Sequence, residues 1–473
     1  MFKNYLKVAF RNVIRHKAFS IINIAGLAIG MSCSIFILLW VQNELSYDRF
    51  HENADQIYRI TANVGDFKAA VNTAPMPPAL KEKFPVVKDF VRLSHPVTSV
   101  FEVGVNKFEE KNGFYADSTF LRFFTFPLVK GNALTALMRS DAVLISETMA
   151  KKYFGDADPI GKILKKDNSN NVVVTGVLKN IPSNSHLQFD YIMPLSAIAQ
   201  TDYDLKNNAW GNFNYYSYIQ LDKNFRSSAA SIEKLNAQLD ALFKTKAPSP
   251  DMKVSFHLQP LTDIHLHSNL QVDLPGNGNI QYVNIFFVVA IFILIVACIN
   301  YMNLATARSA GRAKEVGLRK VMGADRKQLI GQFLSESMLI SLVALLIAMG
   351  IVRLPVFNNV AGKEIALHLL DWKLLGGVAG IALLAGILSG SYPALFLSGF
   401  KPVKVLKGNR VVASGNTFFR NSLVVTQFAV SIILLAGTVV VYQQLKFIRE
   451  MNLGFDKSNL LYMPMTGDMW QKY

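Results

Sequence analysis

Asp263, His265 and His267 are the residues best suited to hold a divalent metal, a carboxylate and two imidazoles at every second position. On an extended segment, alternation would turn both imidazoles to one side. A metal centre needs a third or fourth ligand, and none is apparent nearby, so a polar strand edge is the simpler reading. Gly155 to Ile163, GDADPIGKI, resembles a phosphate-binding loop. Five residues separate its glycines where four are needed, and Ile163 stands where a hydroxyl would bind magnesium, so a structural turn is expected. The chain contains no HExxH and no G-x-S-x-G, and catalysis by it is not expected.

A different chemistry is suggested by Arg308 to Lys327, RSAGRAKEVGLRKVMGADRK, a short basic segment between two apolar runs. Arg308, Arg312, Glu315 and Arg319 recur three or four residues apart, which places them on one face of a helix. A short charged helical loop between spans is a candidate docking surface. Asn300, Asn303 and Glu336 lie in or near the flanking runs, where polar groups are costly and either mark a pathway or sit at the interface.

The elements that must position these residues are membrane helices. At 473 residues, 51% hydrophobic and with a mean hydropathy of +0.25, the chain is too apolar for one ordinary soluble domain. A bilayer core needs roughly 20 apolar residues per helix. Five segments satisfy this, at 19–41, 282–305, 328–352, 374–400 and 422–445. The net charge of +16 belongs almost entirely to three segments flanking these spans: seventeen basic residues against Glu315 and Asp325. Lys and Arg collect on the inner side of a membrane, so the basicity reads as topology and not as nucleic-acid binding. All three segments fall on one side if the N-terminus is cytoplasmic. The first run is too long for a signal-peptide core and reads as a retained anchor.

Residues 1–18 form a cytoplasmic amphipathic helix on the lipid membrane, with Lys3, Lys7, Arg11 and Arg15 every fourth residue. Between the first two spans, 42–281 mixes short strands and helices without a repeating βαβ rhythm, so the fold class is an α-helical membrane protein with a large extracytoplasmic α+β domain. Expected strands include 57–64, 100–105, 172–178, 216–221 and 254–258; expected helices include 78–84, 147–154 and 227–246. Residues 306–327 are a cytoplasmic loop, 353–373 an external loop and 401–421 a second basic cytoplasmic loop. Cys33 and Cys298, both within spans, sit at unlike depths, roughly 20 and roughly 10 Å from the inner end at about 1.5 Å per residue, and are expected to be unpaired. Small residues at four-residue spacing, Gly26 with Gly30, Gly376 with Gly380 and Gly386 with Gly390, are helix-packing candidates. Phe10, Arg11 and Asn12 before the first span recur as Phe419, Arg420 and Asn421 before the fifth. On that repeat, 446–473 opens a second periplasmic domain and Tyr473 is a fragment end.

The chain resembles the MacB/FtsX-type permeases of ABC transporters in their stand-alone, double-length form. The likeness is carried by KNYLKVAFRN with FSIINIAGLAIG, ELSYDRFH after the first span, the domain phrases AKKYFGDADPIGK, VTGVLKNIPSNSHL and LQPLTDIHLHS, the loop AKEVGLRKVMGA, SYPALFLSGFKPVKVLKG and FRNSLVVTQFAVSIILLAGTVVVYQQL. The resemblance implies a noncatalytic subunit in the bacterial inner membrane that binds no cofactor itself and couples to a separate cytosolic ATPase dimer carrying ATP and magnesium. It implies a second permease copy or homologue and a periplasmic membrane-fusion protein as partners. The residues between spans two and three would be the ATPase-coupling helix, with Arg312, Lys314, Glu315, Val316, Gly317, Leu318, Arg319, Lys320 and Gly323 as its contacts. The region 42–281 would be a MacB-like periplasmic core domain, and ATP-driven closure would be relayed to it by mechanotransmission. A membrane-anchored FtsX-like regulator of a cell-wall hydrolase or signalling partner is the alternative; the adjacent genes would separate the two.

Overall fold

The computed structural model describes residues 10–12, 14–15, 17–249, 251–307, 309–352, 372–399 and 417–451. Most of the expected loop at 353–373, most of the basic loop at 401–421, much of the amphipathic segment at 1–18 and all but the first residues of the expected second domain at 446–473 therefore lie outside the described residues; 446–450 instead continue the fifth long helix. The chain divides into two units, one containing the long apolar helices and one spanning Asn43–Ile280.

In the first unit, five described helices are long and apolar enough to cross a membrane: Lys17–Leu45, Ile280–Ala307, Arg326–Val352, Trp372–Ser398 and Thr417–Glu450. The first four are apolar around their circumference, as expected of a helix whose outer face meets lipid. Leu27, Met31, Ile35, Ala297, Tyr301, Ile340, Ala344 and Ala382 form the core where the first four meet. Lipid tails are as apolar as leucine, so this packing depends on close fit. Gly30 supplies it against the second helix, because a Cβ there would lie 2.5 Å from that of Ala297. A Cβ on Gly26 would meet Asn300 Nδ2 at 3.3 Å, and Gly386 and Gly390 abut Met338 and Ser337 of the third helix. Gly376 and Gly380 differ from the expectation: among the described residues nothing lies within 4 Å of a Cβ at either, so they make no close helix approach. The apolar stretch of the fifth helix is unburied, and Asn303 Nδ2 donates to its Gln427 Oε1 at 3.2 Å.

The second unit is built on a mixed sheet of thirteen described strands. They are β1 Ile57–Val64, β2 Phe67–Ala69, β3 Val71–Asn72, β4 Val87–Leu93, β5 Val97–Val103, β6 Asn106–Ala116 and β7 Leu128–Gly131. Next come β8 Ala142–Ser146, β9 Ile163–Lys166, β10 Asn170–Leu178, β11 Tyr191–Pro194, β12 Tyr215–Leu221 and β13 Val254–Pro260. The order along the sheet is β11-β8-β10-β9-β5-β6-β4-β12-β1-β13. Pairing is antiparallel except for β8 with β10 and β11 with β6. Helices Met76–Lys83 and Ala229–Lys246 supply Leu80, Leu235, Leu239 and Phe243 to a core against β1, β12 and β13. Aromatic side chains Phe120, Phe124, Phe126 and Phe189 fill a second core.

Local chemistry sets the connections. Ser146 caps helix Glu147–Phe154 by accepting from Met149 N. Asp167 and Asn168 take φ of 48° and 59°, the two left-handed residues that a tight hairpin between β9 and β10 requires. The glycine-rich GDADPIGKI segment is a turn: Gly161 N donates to Val174 O, and Lys130 pairs with Asp158 at 3.1 Å.

Candidate functional site

The segment Ser309–Val321 is a helix, as its charge spacing predicts, and its C-terminus is closed by a paired motif. Gly323 N donates to Lys320 O and Ala324 N to Arg319 O, with Gly323 in the left-handed region at φ 93°. Two residues later Asp325 opens the third long helix, and Gln328 Oε1 accepts from the Asp325 amide. This sharp turn folds the short loop helix back against the third and fourth long helices. Val316 is buried with Leu329, Phe333, Ala394 and Leu397.

One polar network anchors the same face. Arg312 Nη1 and Nη2 donate to Glu336 Oε2 and Oε1 at 2.7 and 2.9 Å, a bidentate pair at the third helix. Its guanidinium also lies 4.9 Å from the Phe333 ring centroid. Glu336 Oε1 further accepts from Asn12 Nδ2 at 2.8 Å and Gln332 Nε2 at 3.2 Å. Burial works against the Arg312 cation, yet the hydrogen bonds and charge of Glu336 outweigh it and raise its pKa above the usual arginine value. Arg319 pairs with Glu315 at 2.7 Å and donates to Gln332 Oε1, while Lys320 Nζ donates to Ser398 O at 2.6 Å. Beside the pair lies a cavity of about 50 Å³ lined by Phe19, Ser20, Tyr301, Ser337 and Pro393. Among the described residues of this network, the contacts are ion pairs, hydrogen bonds and apolar packing that fix the loop helix to the third and fourth long helices.

The opposite face of the loop helix is apolar and open. Leu318, Val321 and Met322 are 56, 63 and 79% exposed, and their spacing of three and four residues places them in one stripe. Of the residues singled out from sequence, Arg312 and Val316 face the bundle and Leu318 faces outward; Gly317 is buried, and the Lys314 side chain lies outside the described residues. Val321 and Met322 were missed, although the 318, 321, 322 spacing could have found them. Asn303 contacts the fifth helix, and Glu336 is the centre of the network.

The histidine cluster is corrected by the fold. Ile264–His267 is a single helical turn and not an extended segment, so His265 and His267 do not share a side by alternation. His265 is buried, whereas the His267 side chain is 52% exposed and lies near Asp263. Among the described residues no group of three or more metal-ligating side chains occurs.

Comparison with known proteins places both units. Residues 20–242 match the MacB-like periplasmic core domain, and residues 287–402 the FtsX-like permease C-terminal family. The chain is 26% identical over 278 residues to the macrolide export ATP-binding/permease protein MacB of Bdellovibrio bacteriovorus, covering 57% of this chain and 39% of that protein. It is 25% identical over 268 residues to the ABC transporter permease YknZ of Bacillus subtilis, covering 56% and 61%. The match thus spans less than two thirds of each relative. Among solved structures, a permease domain from Porphyromonas gingivalis aligns at 25% identity and a TM-score of 0.39 over 44% of this chain and 92% of that one. The periplasmic region of MacB from Actinobacillus actinomycetemcomitans aligns at 18% and 0.33, over 45% and 91%.

Proposed function

We propose, because the chain belongs to the MacB/FtsX-type ABC transporter permeases, that it is the membrane subunit through which a separate cytosolic ATPase dimer drives conformational change in an external domain. In this reading the N-terminus and the loop helix are cytoplasmic, Asn43–Ile280 is periplasmic, and the membrane is the bacterial inner membrane. ATP and magnesium are bound and hydrolysed in the partner. A second copy or homologue completes the permease, and a periplasmic membrane-fusion protein can join it in an export assembly.

The two-faced loop helix supports this reading best. Its inner face is fixed to the third and fourth helices by Val316 and the Arg312–Glu336 pair. Its outer face leaves Leu318, Val321 and Met322 exposed, an apolar stripe suited to a protein partner. A push on the outer stripe therefore moves the third helix directly, with no flexible linker between.

Co-purification in mild detergent with candidate ATPases tests this. The wild-type chain retains an ATPase; Leu318→Glu with Met322→Glu loses it while still inserting in the membrane. An intact chain that retains no ATPase with or without nucleotide, or a double variant that retains it undiminished, contradicts the assignment.

A further inference from the structure

A second anchored point lies within the Asn43–Ile280 unit, at the end of the first long helix. Glu44, in the last turn of Lys17–Leu45, accepts from His265 Nε2 at 2.7 Å, and both side chains are almost fully buried. Tyr47, three residues on, stacks flat on the His265 ring, with centroids 3.3 Å apart and planes within 1°. The chain leading into the second long helix closes over this pair. Gly278 N donates to His265 O at 2.8 Å, and a Cβ on Gly278 would lie 2.9 Å from both Glu44 Oε2 and His265 Nε2. Only a residue without a side chain fits. One buried carboxylate–imidazole pair thus touches the segment that arrives from the first helix and the segment that departs, two residues later, into the second at Ile280.

We infer that Glu44, His265 and Gly278 form a positioning element that fixes both helix ends to the external unit, so that motion of either helix reaches the sheet. A buried hydrogen-bonded pair resists sliding because separating it leaves a polar group without water or partner. The surroundings give it something rigid to act on: Leu261 and Ile264, on either side of Asp263, belong to the aromatic core, and Ser268 and Asp273 hold buried Arg59 of β1. The inference rests on the permease reading, for it assigns the place where that motion is handed on.

Hydrogen exchange on the full chain reconstituted with its ATPase tests it, comparing nucleotide-free and ATP-trapped states over residues 43–53 and 260–280. In the wild type the two states differ. In Gly278→Ala, which wedges a methyl into the pair, and in His265→Ala, that difference falls by about tenfold, within the usual range for coupled sites, while the ATPase stays bound. The exchanged pair Glu44→His with His265→Glu recovers it, which separates a positioning role from a loss of fold. Variants that keep the wild-type difference, or an exchanged pair that fails to recover it, overturn the inference. A wild-type chain that retains no ATPase overturns the permease reading and this inference with it.

Discussion

The loop helix Ser309–Val321 and the turn from Glu44 to His51 are both charged segments seated on buried partners, but the seats are chemically different. Arg312 holds the first through Glu336, and a guanidinium keeps its charge at every physiological pH. The second is held through histidines. Glu44 meets His265, and Asp48 Oδ2 lies 2.9 Å from His186 Nδ1, whose Nε2 in turn meets the Tyr218 hydroxyl at 2.9 Å. His51 accepts at Nδ1 from Thr125 N. Asp48 sits in the left-handed region at φ 57°, fixed by Ser185 and the His186 amide. The contrast teaches that the cation of the loop-helix seat is permanent, whereas in the turn of the other unit burial of His51 makes its protonation costly.

The largest effect separating the two seats is expected at Glu336. Glu336→Ala removes the bidentate partner of Arg312 and leaves it only Glu315, 3.9 Å away, at a cost of about 3 kcal/mol, read as thermal unfolding in detergent. Arg312→Met with Glu336→Leu recovers most of that stability. A double variant as unstable as the single one breaks the pairing account.

Acid gives the next effect, and it falls on the other unit. Burial lowers the pKa of His51 from 6.5 to about 4; Asp48 opposes the shift and His186 adds to it. The folded-state value lies below the unfolded one, so the stabilisation is complete above pH 6.5 and is lost as pH falls towards 4. The loss is at most about 3 kcal/mol, at about 1.4 kcal/mol per unit. Melting of the full chain between neutral pH and pH 4 checks this, and His51→Gln flattens the dependence. Equal acid sensitivity in that variant removes His51 from the account.

A smaller effect compares glycines within the first unit. Gly390→Val collides with Ser337, at a cost of about 1–3 kcal/mol, whereas Gly376→Val changes melting by less than about 0.5 kcal/mol. Equal shifts contradict the packing described above. The smallest is at the exposed ion pair Lys446–Glu450, 3.9 Å apart; Glu450→Gln changes stability by no more than about 0.5 kcal/mol.

Much of this was legible in the sequence because it is local. Strand β1 was placed at Ile57–Val64 and helix Glu147–Phe154 to the residue, since a capping serine and a glycine bracket the helix. The apolar runs gave all five described long helices. Strand β6, Asn106–Ala116, was not seen, because Lys107, Glu109, Glu110 and Lys111 hide its alternation. His265 was misjudged for a related reason: its neighbours suggest a strand, while Glu44, more than two hundred residues away, decides its environment. In the candidate site Arg312 and Glu336 were each conspicuous, but nothing local pairs residues 24 apart. The turn at Gly323 does so, by reversing the chain between them.

The most direct test of the central claim, that Arg312 and Glu336 tie the loop helix to the third span for force transmission, is the permease-stimulated ATPase rate of reconstituted charge-reversal variants. Arg312→Glu, which sets two carboxylates against each other, is predicted to insert in the membrane and bind the ATPase but lose stimulation by at least about tenfold, and Arg312→Glu with Glu336→Arg to regain it. Full stimulation in Arg312→Glu contradicts the account.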